Sequence, residues 1–172
     1  MIDDFPSLNI IGNTLRVIAY PTFPTEGFCF IEVQLDTNRF LRFETEELLI
    51  PQAAKHRAEA YSITVSEVKG FSAEVRTQIV GEEIRGIQKI IRSEWLGSPV
   101  FKDAGIIGND PQEIIWGKMD AVPVAADAIT TTCGVIIQTT SRRILIHTIA
   151  FPENLGLTMN DDEIDEFRQA YT

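Results

Sequence analysis

Alternation of apolar and polar residues predicts β-strand over much of this chain. Residues 28–35 are rich in aromatic and β-branched side chains, and residues 40–45 alternate apolar with charged ones. The turn residues between these segments predict a hairpin. The same pattern recurs over residues 135–149, where Ser141-Arg142 is the predicted turn of a second hairpin.

Shorter stretches of the same kind predict further strands, at residues 15–20, 61–68 and 113–116, and at residues 10–13 a short strand that ends in a Gly12-Asn13 turn. Residues 52–60, rich in alanine and charge, predict a short helix or a loop. Residues 82–95 are ambiguous, because isoleucines recur at helical spacing whereas Gly86 and the many β-branched residues favour a strand. We interpret this segment as a strand, and the rest of 100–128 as irregular.

The C-terminal segment predicts an amphipathic helix. Asn160 is a typical N-cap residue, and Glu163 stands three positions later, as in a capping box. Ile164, Phe167 and Tyr171 recur at helical spacing and define one apolar face. We therefore expect a helix that begins after Asn160 and packs on the sheet.

Together these elements predict an α+β fold. Its main part is an antiparallel sheet built from hairpins, either a sandwich or a partly closed barrel, covered on one face or edge by the C-terminal helix. The length of 172 residues fits one domain spanning 1–172.

Two parts of the chain resemble each other, which raises the hypothesis of a duplication. The tetrapeptide Ile-Ile-Gly-Asn occurs at 10–13 and again at 106–109. The two hairpins also match without a gap: Cys29, Gln34, Arg39 and Leu41 correspond to Cys133, Gln138, Arg143 and Leu145. The hypothesis predicts two β-units, 10–45 and 106–149, about a pseudo-twofold axis. The alternative is coincidence, because all hairpins share such alternation.

The chain carries a net charge of −10, spread along its length. A chain without a basic region lacks the means to neutralise phosphates, so we expect no nucleic-acid binding. The acidic N-terminus is unlike a signal peptide, and no apolar run has the length of a membrane span. Cys29 and Cys133 form no C-x-x-C motif and predict free, buried thiols in a reducing compartment. These features predict a cytoplasmic protein without membrane association.

No motif predicts chemistry. His56 and His147 lack neighbouring ligands at metal-binding spacing, and Cys133 has no adjacent base. We therefore predict no catalytic residue, no metal and no cofactor, and favour a non-enzymatic role. An enzyme whose acids and bases meet only in the fold stays open as an alternative.

The leading functional hypothesis is an acidic protein-binding protein, similar in role to immunity proteins or inhibitors, with a basic protein as its partner. The alternative is a small-ligand binding module with a pocket between the two β-units. Its candidate ligand-binding residues are Trp95, Trp116, Arg143 and His147. A homodimer is a further hypothesis, because open sheet edges are commonly paired or protected.

Overall fold

The computed structural model of the chain describes residues 9–22, 27–49, 59–95, 128–149 and 154–171. The elements in these ranges are β1 (Thr14–Pro21), β2 (Phe30–Leu35), β3 (Phe40–Leu49), β4 (Glu59–Val68), β5 (Val75–Trp95), β6 (Ala128–Thr139), β7 (Arg143–Thr148), β8 (Leu155–Thr158) and the helix α1 (Asp161–Ala170). The predicted α+β class, a strand-rich chain with one C-terminal helix, is confirmed.

The eight strands form one antiparallel sheet in the order β4-β3-β2-β1-β5-β6-β7-β8. Both predicted hairpins are present, as β2–β3 and β6–β7. The sheet is not closed into a barrel, since β4 and β8 stand at its two ends. Phe28, which precedes β2, exchanges two backbone hydrogen bonds of 2.8 and 2.7 Å with Leu155 of β8.

The long strand β5 divides the sheet into two halves. Its residues 75–83 pair with β1, and its residues 84–95 pair with β6. Gly81, with φ of +68°, lies close to the junction. The segment 82–95 is therefore a strand, as we interpreted it. We call β4, β3, β2, β1 and residues 75–83 the first half, and residues 84–95, β6, β7 and β8 the second half.

The main core lies between the two halves. Strand β4 of the first half contacts β6 and β7 of the second, and the amide of Thr132 donates to Ser62 Oγ at 3.1 Å. Each strand contributes alternate side chains, as a strand with one buried face must. They include Ile31, Val33, Leu35, Leu41, Phe43, Ile63, Val65, Val80, Ile84, Val135, Ile137, Ile144, Ile146 and Leu155.

A second, smaller core lies on the opposite face of the second half, under α1. Its sheet residues are Ile90, Cys133, Ile136 and Leu145, and they alternate with residues of the main core along β6 and β7. The helix contributes Ile164, which is fully buried. The second half thus has side chains packed on both faces, the main core on one and the helix on the other.

Some sequence predictions need correction or lie outside the described residues. The predicted Gly12-Asn13 turn is present, but it includes Ile10 and Ile11, which were predicted as a strand: Asn13 N donates to Ile10 O at 3.1 Å, and Gly12 has φ of +88°. Strand β8 and residues 75–81 of β5 were not predicted from the sequence. The predicted strand 113–116 and residues 52–58 of the predicted helix or loop lie outside the described residues, whereas Glu59 and Ala60 belong to β4, because they pair with Leu49 and Leu48 of β3.

The two hairpins differ in register by one residue. Gln34 pairs with Phe40 in the first, whereas Gln138 pairs with Arg143 in the second. A shift of one residue moves side chains to the other face of a strand. Accordingly Leu41 lies in the main core, whereas its sequence match Leu145 lies under the helix. The duplication stays a prediction, because residues 106–127 of the second unit lie outside the described residues.

Candidate functional site

Two of the four predicted ligand-binding residues lie on one face of β7. Arg143 and His147 alternate with Leu145, so all three face α1 rather than the main core. Trp95 ends β5, where its backbone pairs with Ala128, and Trp116 lies outside the described residues. Their joint role in a pocket between the two β-units stays a prediction.

Arg143 links the sheet to the helix. Its Nε donates to Asp161 Oδ1 at 2.7 Å, and its Nη1 and Nη2 donate to the two carboxylate oxygens of Asp165 at 2.6 and 3.2 Å. The two aspartates are four residues apart and therefore lie on the same side of α1. Hydrogen bonding to Arg143 lowers the pKa of Asp165. The guanidinium thus acts as a clamp on the first turns of the helix.

His147 lies at the other end of the helix-covered face, between two glycines. Its cross-strand neighbours are Gly134 on β6 and Gly156 on β8. Its ring packs 4.8 Å from the ring of Phe167, and its Nδ1 donates to the carbonyl of Thr148 at 2.8 Å. Burial lowers the pKa of His147 below the ordinary value of a histidine.

The glycines beside His147 leave room for the aromatic rings. A Cβ on Gly134 would come within 2.8 Å of Phe167 Cε1, and one on Gly156 would overlap the His147 ring. The packing of His147 and Phe167 therefore depends on small residues at both neighbouring positions. In the described residues, Arg143 and His147 therefore contact side chains of α1 and help to hold the helix against the sheet.

The start of α1 is fixed by Asn160, as predicted. Its side-chain oxygen accepts from the amides of Asp162 at 2.9 Å and Glu163 at 3.4 Å. In a capping box the Glu163 carboxylate would accept from the amide of Asn160. Here it accepts from the hydroxyl of Thr158 instead. Thr158 in turn accepts from the Asn160 amide at 3.1 Å. The Thr158 hydroxyl therefore links the Asn160 amide to the Glu163 carboxylate, two groups that bond directly in a capping box.

The solvent side of α1 is strongly acidic. Five of its ten residues are aspartate or glutamate, and its only base is Arg168. Asp162 and Glu166 are exposed, and we call these two residues the acidic face. The sheet holds α1 through the other three carboxylates: those of Asp161 and Asp165 bind Arg143, and that of Glu163 accepts from Thr158 of β8. The helix thus divides its carboxylates between anchoring and presentation to solvent.

A buried carboxylate that sequence reasoning missed lies in the first half of the sheet. Glu32 is fully buried on β2, and its oxygens accept from Arg42 Nε at 2.9 Å and from the amide and hydroxyl of Ser72 at 2.9 and 2.8 Å. Arg42 also lies 4.8 Å from the ring centre of Phe30. These bonds attach the β4–β5 connection to the sheet, and all of them join residues of this chain to one another.

Glu82 plays a corresponding part at the turn of the second hairpin. Its carboxylate accepts from Thr139 Oγ1 at 2.6 Å, from Ser141 Oγ at 2.8 Å and from Arg142 Nε at 2.8 Å. Thr139 leads the donors that lower the pKa of Glu82 to about 2. The sequence offered no signal for this site, since the partners lie about sixty residues further along the chain.

The described residues show no other kind of functional site. The described ranges contain no group of three or more His, Cys, Asp or Glu side chains placed to hold a metal ion. Both cysteines are free thiols, and Cys133 is buried as predicted, whereas Cys29 is exposed and corrects the prediction that both are buried. Among the described helical residues, none belongs to a helix with the length and hydropathy that crossing a membrane requires. Comparisons with protein-family models, curated proteins and solved structures found no match to this chain.

Proposed function

We propose that this is a non-enzymatic binding protein whose acidic face docks a basic protein, in the manner of an immunity protein or an inhibitor. The observation that carries the proposal is the division of carboxylates on α1. Asp161 and Asp165 bind Arg143, while Asp162 and Glu166 are exposed. The exposed pair is available to a partner without loss of the contacts that hold the helix.

Asp162 lies in the first turn, where a negative charge favours the helix, but its spacing from Glu166 does not. Asp162 and Glu166 are four residues apart, and like charges at that spacing destabilise a helix by roughly 0.2–0.5 kcal/mol. A basic side chain from a partner placed between them would relieve that repulsion. Complementary charge also speeds association and excludes partners of the wrong sign.

The acidic face is also held in a fixed position. Three contacts fix the helix: the Asn160 cap, the Arg143 clamp and the buried Ile164. A surface that is ordered before binding loses less conformational entropy when the partner docks. Rigid presentation therefore supports a binding role for the helix more than a purely solubilising one.

An affinity capture with a charge-matched control tests the proposal. The test variant is Asp162→Asn/Glu166→Gln, which neutralises the acidic face but leaves the Arg143 clamp. The control is Asp36→Asn/Glu46→Gln, which makes the same change of charge in the first half of the sheet. Wild type, test variant and control are immobilised and exposed to lysate of the native cells at physiological salt.

The expected result is a basic protein recovered by wild type and control but not by the test variant. Recovery should fall as salt is raised, because the contact is electrostatic and exposed. Recovery by all three versions alike, or of no basic protein by any of them, would contradict the proposal.

A further inference from the structure

The ring of His147 lies in the interface between the sheet and α1. It is half-buried, and its centre is 4.8 Å from the ring centre of Phe167 on the helix. The edge formed by Nε2 and Cε1 lies against Gly156 of β8, and Gly134 of β6 is the cross-strand neighbour on the other side. While α1 is docked, the ring therefore has mostly apolar surroundings, which favour its neutral form.

The hydrogen bond of the ring determines where an added proton must bind. Nδ1 lies 2.8 Å from the carbonyl oxygen of Thr148, and a carbonyl can only accept, so Nδ1 carries the proton of the neutral ring. Within the described ranges the ring has no other hydrogen bond. A second proton therefore binds at Nε2. That atom lies against Gly156, beside a methyl carbon of Ile149 that cannot accept a hydrogen bond.

The charged groups around the ring compensate a positive charge on it only weakly. Glu163 of α1 favours the charged form, but its carboxylate accepts from Thr158, and the other carboxylates of the helix bind Arg143 or are exposed. Arg143, on the same face of β7, is itself positive and disfavours a second positive charge. The one titratable side chain of β6 is Cys133, β8 has none, and β5 is separated from β7 by β6.

We propose that protonation of His147 releases α1 from the sheet, so that the helix is docked at neutral pH and detached in mild acid. Release exposes the ring, and water then solvates the charge that the docked interface cannot accommodate. The helix packs on the second half alone, so it can leave while the main core stays intact. The acidic face loses its fixed position together with the helix.

The direction of the switch follows from proton linkage. Burial lowers the pKa of His147 in the docked state, whereas exposure restores the ordinary value of 6.5. As the pH falls below that value, the released form binds a proton more readily than the docked form, and the equilibrium shifts toward release. Carboxylates ordinarily titrate near pH 4, so between about pH 7.5 and about pH 5.5 the titrating group of this interface is the histidine.

Amide hydrogen exchange at about pH 7.5 and about pH 5.5 tests the proposal, with each rate divided by the intrinsic exchange rate at that pH. His147→Gln removes the titrating group but keeps a polar side chain. His56→Gln is the matched control, because His56 is the other histidine of the chain. A titration of the His147 ring protons by NMR gives a measurement that depends on neither variant.

The expected result is that corrected exchange in peptides covering α1 is at least about threefold faster at the lower pH in wild type and in His56→Gln. His147→Gln should show no such ratio, and peptides covering β2 and β3 should not change in any version. The midpoint of the change should coincide with the titration of the His147 ring. Equal corrected exchange at both pH values in wild type, a ratio that persists in His147→Gln, or a midpoint away from the ring titration would overturn the proposal.

Discussion

Replacing Ile164 by alanine should detach α1 from the sheet without unfolding the rest of the protein. Ile164 is the one fully buried side chain of the helix, and it packs among Ile90, Ile136 and Leu145. The helix ends the described chain and covers only the second half of the sheet. Its contacts can therefore be lost while the main core stays intact.

The size of the effect follows from the atoms removed. Isoleucine to alanine takes away three carbon atoms, worth about 2.4 kcal/mol at about 0.8 kcal/mol each. The cavity left among the sheet residues adds to this value, so we expect a loss of about 3 kcal/mol, inside the usual range for such changes. Ile164→Val removes one carbon and should cost about 1 kcal/mol.

Amide hydrogen exchange followed by mass spectrometry measures the detachment. A loss of about 3 kcal/mol corresponds to exchange roughly 100-fold faster in peptides covering α1. Peptides covering β2 and β3 should exchange as in wild type. Gln169→Ala, an exposed substitution on the same helix, is the matched control and should change stability by less than about 0.5 kcal/mol.

Two outcomes would contradict the prediction that α1 detaches while the main core stays folded. If Ile164→Ala exchanged no faster than Gln169→Ala, the side chain would not be buried against the sheet. If β2 and β3 exchanged faster to the same extent as α1, the helix and the main core would open as one unit rather than separately.

Three further predictions concern the supporting contacts. Asn160→Ala removes the N-cap and should lower the free energy of unfolding by about 1 kcal/mol in urea denaturation, whereas Asn160→Asp should lose little. Glu82→Gln should destabilise the protein at pH 7. Hydrogen bonds in the fold depress the pKa of the Glu82 carboxylate, so wild type should lose its stabilising contribution as pH falls from about 4.5 to about 2. The variant lacks that carboxylate and should not show this loss. A pH series of unfolding midpoints checks this, and parallel curves would contradict it. Gly156→Ala should displace the His147 ring and cost about 1–3 kcal/mol, which the His147 proton shifts and a thermal melt would detect; an unchanged ring would contradict the packing described.

The elements that could be predicted from the sequence are those whose signals are local. The cap at Asn160 and the face of Ile164 and Phe167 all lie within α1 and its first flanking residue. The two hairpins join strands that are adjacent in sequence, with short turns between them. Local pattern sufficed for these elements because their hydrogen-bond partners are close along the chain.

The arrangement of the sheet could not be predicted in the same way. Strand β5 pairs with β1 and then with β6, which are separated from it by tens of residues. Its pattern is mixed because each part has a different partner and the strand shifts register near Gly86. The division into two halves is thus a long-range property that no local pattern records.

The site shows the same limit. Arg143 is a ligand-binding candidate by sequence. The carboxylates that it binds, Asp161 and Asp165, lie 18 and 22 residues further along the chain, so local pattern could not identify them as its partners. No sequence signal indicated a role for Glu32, because Ser72, which bonds its buried carboxylate, lies 40 residues away. Charged residues in strands acquire their roles from such distant partners.

The proposed binding of a basic protein to the acidic face of α1 predicts a change in the dissociation constant of the purified complex. Exposed charge contacts are worth about 0.5–1 kcal/mol each, so Asp162→Asn/Glu166→Gln should weaken binding roughly fivefold to thirtyfold at physiological salt. The control Asp36→Asn/Glu46→Gln should bind within about twofold of wild type. Equal weakening by both variants would mean that only the overall charge of the protein matters, and no weakening by either would mean that the partner binds another surface; either result would exclude the acidic face as the docking site.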